Sequence, residues 1–288
     1  MSNFVTEAFV QQFADNFLHL SQQMTSRFER AVAIESGIKG TSKSINRLGQ
    51  RTAQRRTSRH GDTPINDQPH STRYVDLFDW EDGDMLDDQD KIRLMTDPTS
   101  EYTRAMVQAL SRAKDDVIIQ ALSGNARSST GNVALPSTQK IAVGGTGLTK
   151  AKMIQARKLF RANEADEENG QDLFLGYSST ALSDLLSDTT LTNSEVNTVL
   201  SLQSGQLRDG KLMGFTMIPS ERFAKVSTTR YLYAWAKTGV VLGIGEEIKV
   251  RIGEDPGKGY NMRPYAKMSL GAVRVEEEKV VEIACVES

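Results

Sequence analysis

Three stretches of this chain have residue types and spacings that could do chemistry. In KIAVGGTGLTK, which ends at Lys150, a glycine-rich turn lies between a short strand and a helix, the order in which backbone N–H groups cradle a phosphate. The pattern fails residue by residue. Counted from Gly144, the second Gly and the Lys are out of place, and Ala151 follows Lys150 where a hydroxyl would bind magnesium. Lys150 also occupies the third Gly position of a dinucleotide fingerprint, and Thr149 reads better as the cap of a helix that begins at Lys150. GYSST offers a serine after Gly176, but Thr180 stands where a nucleophile elbow needs its second Gly. His19, His60 and His70 supply neither a base for that serine nor a metal-ligand spacing. The acidic run Asp79, Glu81, Asp82, Asp84, Asp87, Asp88 and Asp90 invites a calcium loop. A twelve-residue frame from Asp79 puts Asp84 at the required Gly and Asp90 at the closing Glu, so that reading fails too. No catalytic residue, metal site or cofactor is expected.

What remains is complementary charge. Arg47, Arg51, Arg55, Arg56 and Arg59 precede the acidic run, and a head-to-tail contact between copies lets this basic set meet Asp82, Asp84, Asp87 and Asp88. The alternative is that both sets are solvated, where each isolated pair is worth only about 0–1 kcal/mol. Over the whole chain the charges nearly cancel, with 35 Lys and Arg against 37 Asp and Glu, which excludes a generally basic nucleic-acid coat. A single cysteine, Cys285, rules out an intrachain disulfide framework, fits a reducing compartment and reads as a small buried hydrophobe. Glu7 and Asp15 interrupt the apolar residues at the start, so neither a signal peptide nor a membrane span is expected, and the protein stays in the cytosol where it is made.

The elements that position these charges follow from periodicity. DPTSEYTRAMVQALSRAKDDVIIQALSG predicts one long helix with Asp97 and Pro98 at its start and a left-handed Gly124 at its end. Its apolar stripe is Tyr102, Ala105, Met106, Ala109, Leu110, Ala113, Val117 and Ala121, an Ala-rich beam for other segments to lie across. Before it, residues 3–30 predict an amphipathic helix with Phe9, Phe13, Phe17 and Phe28 on one stripe, covered either by another subunit or by the chain's own core. Strands over 43–57 and 71–78 predict a long hairpin with too few apolar residues for a core of its own. After the beam come a strand and a helix burying Met153, Ile154, Ala156, Leu159 and Phe160. A strand DLFLGY, a helix over 179–187 capped by Ser178, a helix over 193–203 and a strand GFTMIPS follow as a compact α/β insert. The last sixty residues are strand-rich, and the final strand places Val281, Ile283 and Cys285 on one face with Glu282 on a wet one.

The order of arm, hairpin, beam helix, α/β insert and returning strands resembles that of the major capsid proteins of tailed bacteriophages, the Hong Kong 97-type fold. FVQQF, LSQQ, RTSRHGDTP, PHS, the DDQDK run, DPTSEY, DDVIIQAL, MGF and LGAVRVEEEKVVEIACVES are similar to members of a phage capsid protein family across essentially the whole chain. The resemblance implies an α+β fold. Its parts would be an N-terminal arm (1–36), an extended hairpin loop (37–81), a peripheral domain beginning at 82–147 with its spine helix at 98–122, an axial domain (148–223) and returning peripheral strands (224–288). It implies a structural, non-enzymatic shell protein that assembles in the host cytoplasm into hexamers and pentamers of an icosahedral virion head. Portal, scaffolding and decoration proteins would be its partners, and it would enclose double-stranded DNA without reading its sequence. Lysine–asparagine crosslinks occur in some members of the wider fold; no pair is assigned here. An encapsulin-like nanocompartment is the alternative within the fold, and a DNA-binding or nucleotide-using protein the alternative outside it.

Overall fold

A computed structural model describes residues 22–59, 65–86, 99–187 and 211–287. Outside them lie Phe9, Phe13 and Phe17, His19 and His60, Asp87, Asp88 and Asp90, the expected cap residues Asp97 and Pro98, and the helix expected over 193–203. In chain order the first strands are β1 (Ala33–Ser36), β2 (Ser42–Leu48), β3 (His70–Asp76) and β4 (Phe78–Gly83), followed by the long helix α1 (Thr99–Ser123). Then come β5 (Ala126–Ser128), β6 (Gly131–Val133), β7 (Lys140–Ile141), α2 (Lys150–Ala162), β8 (Leu173–Tyr177) and α3 (Ser179–Ser187). The chain continues through β9 (Lys211–Leu212), β10 (Phe215–Pro219), β11 (Lys225–Val226), β12 (Thr229–Ala236), β13 (Val240–Asp255), β14 (Asn261–Arg274) and β15 (Val280–Val286). No helix among the described residues is long and apolar enough to cross a membrane.

The chain divides into two compact units, one including Phe78–Lys114 and Glu246–Leu270, the other Arg27–Leu77, Asp115–Gly245 and Gly271–Ser288. In the first, β4 pairs antiparallel with β14, from Phe78↔Leu270 to Gly83↔Tyr265. The second holds a seven-stranded mixed sheet in the order β7-β15-β12-β8-β10-β9, with β11 on β12. The strands of the expected α/β insert and the returning strands thus share one sheet. A second sheet in this unit, β2-β3-β5-β6, carries the hairpin.

Local chemistry accounts for the helix starts. The Thr149 side chain accepts from the Lys152 N–H at 3.5 Å and the Ser178 hydroxyl from the Ala181 N–H at 3.2 Å, the two caps expected from sequence. Gly124 ends α1 for a different reason from the one expected: a Cβ there would sit 2.7 Å from the Gln120 carbonyl oxygen, whose bond from the Gly124 N–H also spans 2.7 Å. The buried set on α1 also differs from the Ala stripe. Met106, Leu110, Val117, Ile118, Ile119 and Leu122 are buried together with Gln108, Ser111, Lys114 and Asp115, while Ala105, Ala109, Ala113 and Ala121 are only half-buried. The Asp115 carboxylate explains part of this, because it accepts from the backbone N–H groups of Arg27 at 3.0 Å and Phe28 at 3.3 Å. Those N–H groups are therefore not used by a helix, and residues 22–28 are not helical. Phe28 is fully buried on this chain's own core, with its ring centroid 5.6 Å from those of Phe223 and Trp235.

β15 corrects a second expectation. It is the neighbour of β7 on one side and β12 on the other and is buried on both faces, so Glu282 does not face water. Its carboxylate accepts from the Tyr233 hydroxyl at 3.2 Å and lies 3.6 Å from the Lys140 ammonium. Cys285 is buried as expected, and burial pushes its thiol up to about 11. Met153, Ala156 and Phe160 form the buried face of α2, but Ile154 is 53% exposed.

The C-terminal end of β15 is held by charge. Glu287 pairs with Arg230, whose guanidinium also donates to the backbone oxygens of Glu221 at 2.9 Å and Phe223 at 3.3 Å. The hydrogen bond from Arg230 holds the Glu287 carboxyl below its ordinary value of 4.5. The stabilisation is thus complete above pH 4.5 and is lost as pH falls through the lower, folded-state value. Glu287→Gln is expected to cost about 1–2 kcal/mol at pH 7 and to cost progressively less below that window. Denaturant melts at pH 7 and pH 3.5 check this; equal losses at both would exclude the carboxylate as the cause.

Candidate intersubunit surfaces

The basic run is carried by the β2–β3 hairpin, paired antiparallel from Ser42↔Asp76 to Leu48↔His70. The ladder stops earlier than the expected strand over 43–57, because Pro69 has no N–H to continue it. Beyond Leu48 the two limbs are joined by the Gly49 N–H on the Pro69 oxygen at 2.8 Å and then mainly by side chains. Arg51 donates to the Asn66 oxygen at 3.1 Å, and the Asn66 amide donates to the Thr52 oxygen at 2.9 Å. The Arg56 Nε donates to the Ser58 oxygen at 2.8 Å. Arg55 and Arg59 are exposed, with no partner among the described residues. These four arginines stand on one solvated limb.

Arg47 is set apart from them. It is half-buried and its guanidinium lies 3.5 Å from Glu277, at the root of the hairpin. Glu277 also accepts from Arg73 of β3 at 2.7 Å and lies 3.9 Å from Arg274. Arg274 is fully buried and donates to the carbonyl oxygens of Leu122 at 3.1 Å and Gly124 at 2.8 Å, closing the end of α1, and to that of Val133 at 2.9 Å. One carboxylate thus stands among three arginines from β2, β3 and β14. The close packing at this root also needs Gly271, where a Cβ would meet the Asp76 carbonyl oxygen at 1.8 Å. The reading from sequence missed this cluster. Its one legible sign was Arg73, two residues from Val75 and so on the same, buried face of β3.

The acidic residues occupy the edge strand β4. Asp79 and Glu81 are exposed on one face, with Glu81 accepting from the Tyr265 hydroxyl at 2.7 Å. Asp82 is half-buried opposite Ala266, and the Asp84 carboxylate accepts from the Met85 N–H at 2.8 Å. Phe78 and Trp80 lie on the other face and stay 62% and 36% exposed. The candidates Asp87 and Asp88 lie outside the described residues.

The glycine turn is built for a cation. The Lys152 ammonium, on α2, donates to the carbonyl oxygens of Val143 at 2.9 Å, Thr146 at 2.7 Å, Gly147 at 3.0 Å and Ala284 at 2.8 Å. Carbonyl oxygens converge where a phosphate site would present N–H groups, which physically rules out the nucleotide reading of this turn. In GYSST, Ser178 is the cap of α3, and a Cβ on Gly176 would lie 2.1 Å from the Phe223 ring.

The fold is that of a phage capsid subunit. It superimposes on the capsid of Ralstonia phage GP4 with a TM-score of 0.73 at 12% identity, covering 97% of this chain and 96% of that one. The capsid protein of cyanophage Pam1 matches with a TM-score of 0.70 at 15% identity over 98% and 97% of the two chains. That of cyanophage P-SCSP1u matches with 0.67 at 19% identity over 99% and 95%. No curated protein sequence matches. Residues 5–287 match the model of the phage capsid protein family, and the chain belongs to that family. Its role is that of a structural phage capsid protein, and the fold read from the sequence as Hong Kong 97-type is shared with these capsids over nearly the whole chain.

Proposed function

We propose that this chain assembles into the closed icosahedral shell enclosing the double-stranded genome of a tailed phage. Hexamers and pentamers form in the host cytoplasm through head-to-tail contact of the basic hairpin limb (Arg51, Arg55, Arg56, Arg59) with the acidic residues from Asp82 to Asp88 of a neighbour. The observation that carries this reading is that one chain holds a solvated basic limb and an acidic edge strand, each with few partners of its own. Heterologous contacts between unlike patches close into rings when the rotation allows, and each contact can be weak because many act together. Arg47 is left out of the contact set, since Glu277 already holds it. The division into arm (1–36), extended loop (37–81), peripheral domain with spine helix and axial domain (148–223) belongs to the same proposal. So do a portal partner, scaffolding or decoration proteins, and DNA held without sequence readout. A near-neutral chain suits a genome that must slide in and out, because a strongly basic lining would grip it through counterion release.

The test is electron microscopy of the purified protein with its mass measured on a sizing column. Closed shells or capsomer rings are expected. Reversing Arg55, Arg56 and Arg59 to Glu is expected to leave the subunit folded and to abolish those assemblies. Unchanged shells would mean that the limb is merely solvated, and a subunit that stays monomeric even with the phage's other head proteins would overturn the shell reading.

A further inference from the structure

β4 is a sheet edge. Asp84 donates its N–H to the Pro264 oxygen at 3.2 Å, and Leu86 exchanges both backbone bonds with Met262 at 2.8 and 3.1 Å. In this antiparallel register the even-numbered residues of β4 turn their N–H and C=O groups toward β14. The backbone groups of Asp79, Glu81 and Gly83 therefore point away from β14, and no strand among the described residues pairs with them. An exposed edge with two uncovered aromatics is a template for another strand, which proteins otherwise blunt or cover.

Elsewhere in the sequence is a segment suited to that edge. Residues 50–57 leave the β2–β3 ladder and make no backbone-to-backbone hydrogen bond among the described residues. Read as a strand, they carry Arg51, Ala53 and Arg55 on one face. β4 carries Asp79 and Glu81 on one face and Phe78 and Trp80 on the other. We infer that β4 is the docking edge for a second copy of this chain, whose residues 50–57 add to it as a further strand with Arg51 and Arg55 alongside Asp79 and Glu81. The backbone ladder supplies the attachment, and the alternating charge fixes which face is turned which way. This rests on the proposed head-to-tail contact and specifies its geometry: the arginines pair with Asp79 and Glu81, the first two residues of the acidic run, upstream of the contact set Asp82 to Asp88.

Amide hydrogen exchange on free subunits and on intact shells tests it. The amides of Asp79, Glu81 and Gly83 are expected to exchange freely in the subunit and to slow by about 100-fold or more in shells. Two variants separate backbone from charge. Glu81→Ala removes the carboxylate and keeps the outward N–H, whereas Glu81→Pro removes both without breaking a bond to β14. Glu81→Pro is expected to assemble about tenfold less than Glu81→Ala, with both free subunits melting alike. Shells in which the three amides exchange as in the free subunit, or in which the two variants assemble equally, would overturn strand addition while leaving the shell reading intact. A chain that forms no shells with any head protein would overturn both.

Discussion

Glu277→Gln is expected to lower the unfolding free energy of the free subunit by about 3–5 kcal/mol, which for a chain of this size moves the melting temperature on the order of 10 °C. Glu277 is a buried carboxylate facing Arg73 at 2.7 Å, Arg47 at 3.5 Å and Arg274 at 3.9 Å, so its removal leaves buried guanidinium groups uncompensated. That condition is already marginal. Burial pushes the Arg274 guanidinium down from its ordinary value while Glu277 works against the shift, and the Nε atoms of Arg73 and Arg274 are buried without a hydrogen-bond partner. Arg47→Met is expected to cost less than about 1 kcal/mol, because its pair is longer and Arg47 is only half-buried. Replacing both Arg73 and Glu277 with Met is expected to recover part of the loss, since a buried pair is costly mainly when one partner is left behind. Calorimetry of the four proteins decides. A loss below about 1 kcal/mol for Glu277→Gln would mean that water reaches the cluster and the hairpin root is held by packing alone.

Glu277 also marks the limit of what could be read from sequence. It sits in the stretch VEEEKVV, where three consecutive glutamates look like a solvated turn, and nothing local says that one of them points at Arg73, 204 residues away. The legible parts were those decided within a few residues. Thr149 and Ser178 stood three residues before the N–H groups that they cap, and Cys285 lay in a run of apolar residues. Periodicity placed the faces of β15 correctly but could not say whether both were covered. The strand lies between β7 and β12, and Glu282 is tolerated inside because Tyr233 and Lys140 reach it. On α1 the Ala stripe was outweighed by Asp115, buried because two backbone N–H groups from a distant segment come to it. The misses at Glu277, Glu282 and Asp115 each involved a charged residue buried by a long-range partner. The basic and acidic runs were read as sets that meet between copies; within one chain Arg55, Arg59 and Asp79 are exposed.

Lys152 is the second position where one side chain carries a large effect. Its ammonium has three hydrogens for four carbonyl oxygens at 2.7 to 3.0 Å, so one hydrogen is shared, and the four acceptors join the turn at 143–147 to β15 through Ala284. Burial pushes the ammonium down from its ordinary value, with Cys285 and Asp184 opposing the shift. A methionine of similar length would fill the space and leave buried carbonyls without a donor, so Lys152→Met is expected to cost about 3 kcal/mol, most of it from those unmet acceptors. The arrangement makes a sharper prediction for Lys152→Ala. With the side chain gone, the carbonyl ring is a vacant site for a small cation, and ammonium or methylammonium should bind the folded form and raise its melting temperature as the concentration rises. The wild-type subunit, whose site is filled by its own lysine, should not respond in this way. Parallel melts in ammonium and tetramethylammonium chloride at equal ionic strength separate binding from salt effects, because the larger ion cannot donate a hydrogen bond. If Lys152→Ala and wild type shift alike in both salts, the carbonyls do not form a cation site and the glycine turn is held by its backbone conformation instead.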